Sequence, residues 1–511
     1  MKVFTTSQIR DIDAATIKNE PVASVDLMER ASKACADWLS ERYDRTDPFV
    51  IFTGPGNNGG DGWAIARLIA DKGFTNIHLY QVQLSAELSP DSALNRQRLI
   101  RQDRVPVSVI GSSVDFPKIG PPAIVMDALF GSGLSRPLEG LAAELVKHVN
   151  ASGCRVIAVD IPSGLMGEDN AGNTMDSVIR AHHTLTFQFP KLSFFFPENE
   201  AFVGEWTALD IGLHRESIEK TPTPFYYTAG TDVALRIVPR RKFSHKGTFG
   251  HALLLAGSFG MMGAAVLASR ACLRAGVGLL TAHIPKKGYW IMQVAVPEAI
   301  VSLDPSEECF SELPDLKPYT AAAVGPGIGT RPAVEEALNA LFLKCTVPLV
   351  IDADALNLIA AHKEMQQRIP ENSILTPHPK EFERLAGKTD TGYERLMKQI
   401  EIAQVRKVIV VLKGANTSIA MPDGTCFFNS TGNPGMATGG SGDVLSGILL
   451  ALLAQRYKPA DAALVGVYLH GLAGDYAATK TGWHALIASD IIDNLGDAFL
   501  KTEILNGNEK K

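Results

Sequence analysis

Apolar residues recur at helical spacing in "SQIRDIDAATI" and again in "SVDLMERASKACADWLSERY", so two amphipathic helices open the chain. The period then shortens. Compact apolar runs stand at 49–53, 77–82, 123–128, 155–161 and 183–189, and helical patterns at 61–72, 91–101 and 138–149 separate most of them. Short greasy runs alternating with helices predict a mostly parallel sheet covered on both faces. Between 215 and 240 the pattern breaks at "IEKTPTPFYYTAGTD", rich in Pro, Thr and Gly, which marks a boundary between two domains, 1–220 and 225–505. Alternation restarts beyond it with "HALLLAG", a helix over 263–275, "VGLLTAHI", "AAAVGPG", a helix over 331–343, "PLVIDAD", "SILTP", a helix over 379–386 and "KVIVVLKG". Long helices at 440–455, 459–478 and 489–500 follow. The expected fold class is α/β, two domains, each a mostly parallel sheet between helices.

Composition narrows the function classes. A chain of 511 residues exceeds one ordinary core. Net charge is −6 with no Lys/Arg run, which disfavours a nucleic-acid binder. The longest apolar stretch, "VLSGILLALLA" at 444–454, is too short to span a bilayer and reads as a buried helix. The first twenty residues show no apolar core of a secretory signal. Six cysteines lie scattered without a CxxC pair, and there is no HExxH, so neither a disulfide framework nor a zinc site is indicated and a reducing cytoplasm is expected.

The chemistry gathers at glycine loops. "GPGNNGGDG" (54–62) follows the run at 49–53; taken singly it is also compatible with a tight turn that leaves Asp61 near a helix N-terminus. It is neither a Walker A loop nor a dinucleotide fingerprint. "VMDALFGSGLSRPL" (125–138) and "AVDIPSGL" (158–165) repeat the pattern of an acid at a strand end followed by glycine. In open parallel sheets ligands sit beyond the carboxyl ends of the strands. Asn58, Asp127 and Ser163 are hard oxygen donors at three such ends, suited to a cation, and Asp160 faces the same crevice. In the second half, "LKGANT" (412–417) offers a lysine and backbone donors to phosphate oxygens. "GGSGDV" (439–444) forms an anion cradle at a helix N-terminus, with Asp443 at its mouth. A carboxylate beside an anion hole can deprotonate a hydroxyl that then attacks phosphorus.

These blocks, in this order, resemble the bifunctional NAD(P)H-hydrate repair enzymes over essentially the whole chain. "GPGNNGGDG", "DALFGSGLSRPL" and "VDIPSG" are similar to the epimerase half; "HKGTFG", "VGPGIG", "TPHPKE", "KGANT" and "GNPGMATGGSGDVLSG" are similar to the dehydratase half. The resemblance implies a Rossmann-like first domain and a ribokinase-like second one. It implies epimerisation of R and S hydrates of NADH and NADPH in the first and ADP-dependent dehydration of the S form in the second. It places the hydrate of the epimerase against Asn57, Asn58, Gly59, Gly60 and Asp61, against Gly131, Ser132, Gly133, Leu134, Ser135, Arg136 and Pro137, and against Asp160, with potassium on Asn58, Asp127 and Ser163. In the dehydratase it places the hydrate against Ala264, Gly325, His378 and Asp443, and the adenine nucleotide against Lys413, Gly414, Ala415, Asn416, Thr417 and Gly442. Glu381, in "HPKE", would support Mg²⁺. Ser441 stands where the motif more commonly carries threonine, with the hydroxyl kept. The implied partners are small molecules, neither nucleic acid nor membrane, in a homo-oligomer.

The residues leave alternatives open. The second half by itself also fits a ribokinase-like small-molecule kinase with Asp443 as base, the first half then being a ligand-binding module. A non-catalytic, nucleotide-sensing first half is a further reading, which the oxygen-donor set at 58, 127 and 163 disfavours.

Overall fold

A computed structural model describes residues 1–508. The chain divides into two compact units, Lys2–Thr223 and the bulk of the chain from Pro224 onward. In the first, helix α1 (Thr6–Asn19) starts on a capping box in which Gln8 N donates to Thr5 Oγ1 and Thr5 N donates to Gln8 Oε1. Helix α2 (Ser24–Arg42) follows, and then β1 (Phe49–Thr53), α3 (Asn57–Asp71), β2 (Ile77–Val82), α4 (Pro90–Gln102) and β3 (Val107–Ile110). The unit continues with β4 (Ile124–Ala128), α5 (Gly140–Ala151), β5 (Arg155–Val159), β6 (His183–Phe187) and β7 (Glu205–Leu209). The seven strands run in the order β3-β2-β1-β4-β5-β6-β7, and every neighbouring pair is parallel. Strand order reverses between β1 and β4, opening a crevice beyond their carboxyl ends.

The segment where the pattern breaks is partly sheet. Phe225–Thr228 forms β8 and pairs in parallel with the strand at Cys426–Asn429 of the second unit. There the chain runs through β9 (His251–Leu255), α6 (Met262–Arg274), β10 (Leu279–Ile284), β11 (Ile300–Leu303), β12 (Ala321–Val324), α7 (Pro332–Lys344), β13 (Leu349–Ile351), α8 (Ala353–Ala361) and β14 (Ile374–Leu375). Then come α9 (Pro379–Ala386), α10 (Gly392–Arg406), β15 (Ile409–Leu412), β16 (Ser418–Ala420), β17 (Cys426–Asn429), α11 (Ser441–Ala454), α12 (Pro459–Thr481), α13 (Ala488–Asp493) and α14 (Leu495–Asn508). The order β8-β17-β16-β15-β14-β13-β12-β9-β10-β11 is parallel except where β16 reverses between β15 and β17. The single helix expected over 489–500 is two, interrupted at Asn494, whose N–H bonds back to Asp490 and Ile491 carbonyls. The stretch 444–454 is a buried helix, as its composition requires. It lies so close to α6 that a Cβ on Gly447 would stand 2.2 Å from the Ala268 carbonyl oxygen. Among the described residues no helix is long and apolar enough to cross a membrane.

Three of the glycines after β1, Gly54, Gly59 and Gly62, meet protein before any ligand. A Cβ on Gly54 would lie 2.0 Å from the Leu129 carbonyl oxygen, and one on Gly59 would lie 1.9 Å from that of Gly54. On Gly62 it would lie 2.7 Å from Thr53 Cγ2 and Ala128 Cβ. Helix α3 is thereby seated directly on β1 and β4. Gly59→Ala should destabilise the first unit by about 3 kcal/mol or more, because backbone rather than a flexible side chain must yield. Calorimetry should show its melting temperature roughly 6–12 °C lower; an unchanged value would mean that α3 can lift without penalty.

Candidate active sites

In the first unit Asn58 occupies the first turn of α3, Asp127 ends β4, and Asp160 and Ser163 follow β5, so the switch point gathers all four. Asp127 is fully buried and accepts from Ser163 N at 2.7 Å, Ser163 Oγ at 2.6 Å and Leu129 N at 3.2 Å. Burial raises its carboxyl to about 6 against the lowering effect of those hydrogen bonds. Asn58 is 7% exposed, and neither its Oδ1 nor its Nδ2 has a hydrogen-bond partner. A buried amide left unpaired is costly, which sets Asn58 apart from the satisfied polar groups beside it. Amide, hydroxyl and carboxylate oxygens are the donor types that a hard cation takes.

Asp160 has φ +67°, a left-handed conformation that a non-glycine residue adopts under constraint. Its Oδ2 accepts from Ser132 N at 3.0 Å and its Oδ1 from Lys191 Nζ at 2.6 Å. Burial works to raise this carboxyl, yet Lys191 and the Ser132 contact hold it below the usual range. A Cβ on Gly131 would lie 3.3 Å from both Asn58 Cβ and Asp160 Oδ2, so the 131–133 backbone forms the rim of the crevice. Leu134 N bonds to the Gly131 carbonyl, and Ser135 and Arg136 are exposed beyond it. Asn57, Gly59 and Gly60 lie along the start of α3, and Gly60 packs on Met28. Asp61 faces α2 and accepts from Ser32 Oγ at 3.3 Å. Burial, then Asp160, raises it well above a normal carboxylate. Two groups escaped the sequence reading. Asp13 on α1 is raised to about 7 by burial and by Asp160. Lys191 follows "TLTFQFP" as a lone cation behind an apolar run, and that was its only signal.

In the second unit the loops after β12, β13, β14 and β15 meet the N-terminus of α11. Gly325 has φ +131°, and a Cβ there would lie 1.8 Å from the Asp352 carbonyl oxygen. Ala264, in the first turn of α6, approaches the Gly327 loop, where a Cβ would stand 3.1 Å from its own. Lys413 N bonds to the Pro377 carbonyl at 3.0 Å, tying the 413–417 loop to the 376–378 loop. Within 413–417, Gly414 and Ala415 are exposed, and Thr417 Oγ1 donates to the Gly414 carbonyl. His378 caps α9: its Nδ1 accepts from Lys380 N and Glu381 N, which leaves the ring proton on Nε2. Glu381 completes the box by accepting from His378 N at 2.8 Å.

Asp352 was missed, although an acid closing a buried strand is the same signal that marks Asp127. It is buried at the end of β13 and accepts from Lys413 Nζ at 3.0 Å and Ser446 Oγ at 2.6 Å. A Cβ on Gly442 would lie 3.4 Å from Lys413 Nζ and 3.9 Å from Asp352 Oδ2, which places the cradle over this pair. The N-cap of α11, Gly440, supplies no side-chain hydrogen bond; Ser441 N donates to the Thr438 carbonyl at 3.4 Å, which leaves the Gly442 and Asp443 N–H groups of the first turn for an anion. Asp443, in that first turn, is raised to about 7 by burial, then by Asp352, against Lys413.

Two α/β units, each with an acid-bearing crevice at its strand ends, define a two-site α/β enzyme. Comparison with known proteins places it further. Residues 252–496 match the family model described as NAD(P)H-hydrate dehydratase, and residues 24–193 the one described as YjeF-related protein N-terminus. The chain is 34% identical to the bifunctional NAD(P)H-hydrate repair enzyme Nnr of Moorella thermoacetica, covering 97% of this chain and 96% of that one. It is 32% identical to the Escherichia coli enzyme of the same name, covering 92% and 88%. The ADP/ATP-dependent NAD(P)H-hydrate dehydratase of Bacillus subtilis, solved with ATP/Mg²⁺, superposes with a TM-score of 0.48 at 33% identity, over 54% of this chain and 99% of that one. The chain belongs to the family of bifunctional NAD(P)H-hydrate repair enzymes.

The raised Asp443 has a consequence for stability. Its folded-state pKa exceeds the unfolded value of 3.8, so the folded protein holds a proton that the unfolded chain gives up. Stability is therefore lost as pH rises from about 4 through 7. Asp443→Asn removes that cost: it should raise the melting temperature of the ligand-free protein by a few degrees at pH 8 and leave it unchanged near pH 4. Equal shifts at both pH values would contradict the burial of its charge.

Proposed function

We propose that this chain repairs hydrated nicotinamide cofactors at two sites. The first, in residues 1–220, interconverts the R and S hydrates of NADH and NADPH. The second, in residues 225–505, dehydrates the S form with ADP, giving AMP and phosphate. The observation that carries the reading is Asp443: a carboxylate poised near neutrality beside the open N–H groups of α11, in a chain of this family. A base whose pKa lies near working pH is suited to take the proton of a hydroxyl. The ring hydroxyl of the S hydrate then attacks the terminal phosphorus of ADP; a new C–O–P bond forms and the bridging P–O bond breaks to release AMP. Phosphate is the better leaving group than hydroxide. As the ring nitrogen's lone pair moves in, it departs, and loss of the neighbouring ring proton restores the dihydropyridine. Ala264, Gly325 and His378 would seat the hydrate, and Lys413–Thr417 with Gly442 the nucleotide.

Mg²⁺ would enter this site with the phosphates. Among the described residues no cluster of three or more His, Cys, Asp or Glu side chains is arranged to hold a metal, and Glu381 is committed to capping α9. An ion that keeps several waters and binds through phosphate oxygens suits such a site. In the first unit the unpaired Asn58 amide, with Asp127 and Ser163, supports potassium: two neutral oxygens and one carboxylate suit a weakly hydrated monovalent ion. Asn57–Asp61, Gly131–Pro137 and Asp160 would line the hydrate there.

Incubating mixed R and S hydrates with ADP, with ATP or with neither should return the dihydronicotinamide absorbance with nucleotide present, in an amount exceeding the S fraction. Accumulation of a stable phosphoester would instead identify a small-molecule kinase. Asp443→Asn should lower S-hydrate turnover by ~10²–10⁴ while ADP affinity by calorimetry stays near wild type and epimerisation persists. Dehydration within a few-fold of wild type, or loss of ADP binding, would show that Asp443 only caps its helix. Asp127→Ala should abolish the potassium dependence and the R-to-S conversion together, leaving S dehydration intact; epimerisation that survives both the substitution and potassium removal refutes the cation assignment.

A further inference from the structure

Lys191 is a buried cation that the chemistry above does not use. It is 1% exposed, as deeply buried as Asp127 in the same unit's crevice. Its Nζ donates to Asp160 Oδ1 at 2.6 Å, to Thr186 Oγ1 at 2.8 Å and to the Phe189 carbonyl at 3.4 Å. All three ammonium protons are taken, and one acceptor carries charge. Burying an ammonium is expensive even when paired, and swapping such a pair for apolar residues often costs nothing. The pair therefore calls for a use other than stability.

Its geometry supplies one. Lys191 holds one carboxylate oxygen of Asp160 and Ser132 N the other, while φ of +67° turns the residue out of the strand and toward Gly131 and Asn58. The other titratable groups that act on this carboxylate and its neighbours are Asp13 on α1, Cys35 on α2, Asp61 on α3 and Asp91 on α4. Asp13, Asp61 and Cys35 are all raised by burial and by their acidic neighbours, so around the Asp160 anion they hold their protons more tightly than free groups do.

We propose that Lys191 is a positioning residue of the epimerase site, clamping the Asp160 carboxylate as an anion on the floor of the crevice, where it faces the cationic ring formed during R/S interconversion. The inference rests on reading the first unit as the epimerase. Inversion at the hydroxyl-bearing ring carbon breaks its C–O bond. The ring nitrogen's lone pair becomes a C=N bond, and the hydroxyl leaves as water with a proton from a neutral carboxyl. Water then adds to the opposite face and returns the proton. Asp13 on α1, half-buried and within reach of the charges of both Asp160 and Lys191, is such a carboxyl. The Asp160 anion is complementary to the cation between the two steps.

The test uses the full chain with Lys191→Met, Asp160→Asn and the double variant. Loss of R hydrate reports epimerisation, and ADP-driven dehydration of S hydrate serves as an internal control on intact protein. Lys191→Met should lower the epimerisation kcat by at least ~10²-fold with KM changed little. The acid limb of its residual activity should move up by about one to three pH units, because Asp160 stays buried without its cation. The double variant should recover melting temperature, since no lone buried charge remains, yet recover no activity. Lys191→Met that epimerises within about threefold of wild type, with an unmoved pH profile, overturns the proposal. If that variant does not fold, a folded double variant with near-wild-type epimerisation overturns it. A wild-type chain that fails to interconvert the hydrates overturns the functional reading itself, whereas an active wild type beside an active Lys191→Met overturns this inference alone.

Discussion

Both crevices depend on one steric constraint: the backbone leaving a central strand must touch the backbone leaving its neighbour. In the first unit Gly54, past β1, meets the Leu129 carbonyl past β4; in the second, Gly325, past β12, meets the Asp352 carbonyl past β13. Neither approach leaves room for a Cβ. Drawing the strand ends together in this way lets groups from separate loops share one small volume: Asn58 with Asp160 in one case, Gly442 with Lys413 and Asp352 in the other. A wider splay would leave each acid on its own turn, capping a helix and nothing more.

The two units solve the problem of a buried carboxylate in opposite ways. Asp160 is supplied with a buried ammonium and a backbone N–H and stays ionised despite its burial. Asp443 receives little such help. Burial and the neighbouring Asp352 outweigh Lys413, whose ammonium is already engaged by Asp352, and its carboxyl rises to about 7. The first arrangement suits a group that must present charge throughout a reaction. The second suits a group that must pick up and release a proton. Asp352, unremarked as a strand terminus, sets this difference by occupying the lysine.

Glycine-rich loops invite the reading that every glycine admits a ligand, and here the labour is divided. Gly59 and Gly62 seat α3 on the sheet, Gly447 lets α11 approach α6, and Gly325 lets two strand ends meet. Gly56, Gly263, Gly414 and Gly439 would meet nothing within 4 Å of an added Cβ, and these are the open positions of the loops. Sequence spacing cannot separate the two kinds, because both demand the same residue.

The sequence by itself determined the α/β alternation, the buried helix at 444–454 and the acids that end the strands, since each is a local pattern of polarity written over a few consecutive residues. Asp127, Asp160 and Ser163 were legible because a polar residue closing or just past a greasy run has few structural reasons to be there, and Asn58 and Asp443 because they stand in glycine loops at helix starts. Tertiary structure alone decided the rest. The segment at 225–228 lies where the local pattern breaks, yet it is a strand, because its partner lies two hundred residues away at 426–429. Lys191 and Asp13 entered the first crevice from a distant loop and from α1, and Asp352 entered the second from the end of β13. No periodicity announces such arrivals. Which acid is ionised and which keeps its proton depends on distances and burial between residues far apart in the chain, and those exist only once the sheets have formed.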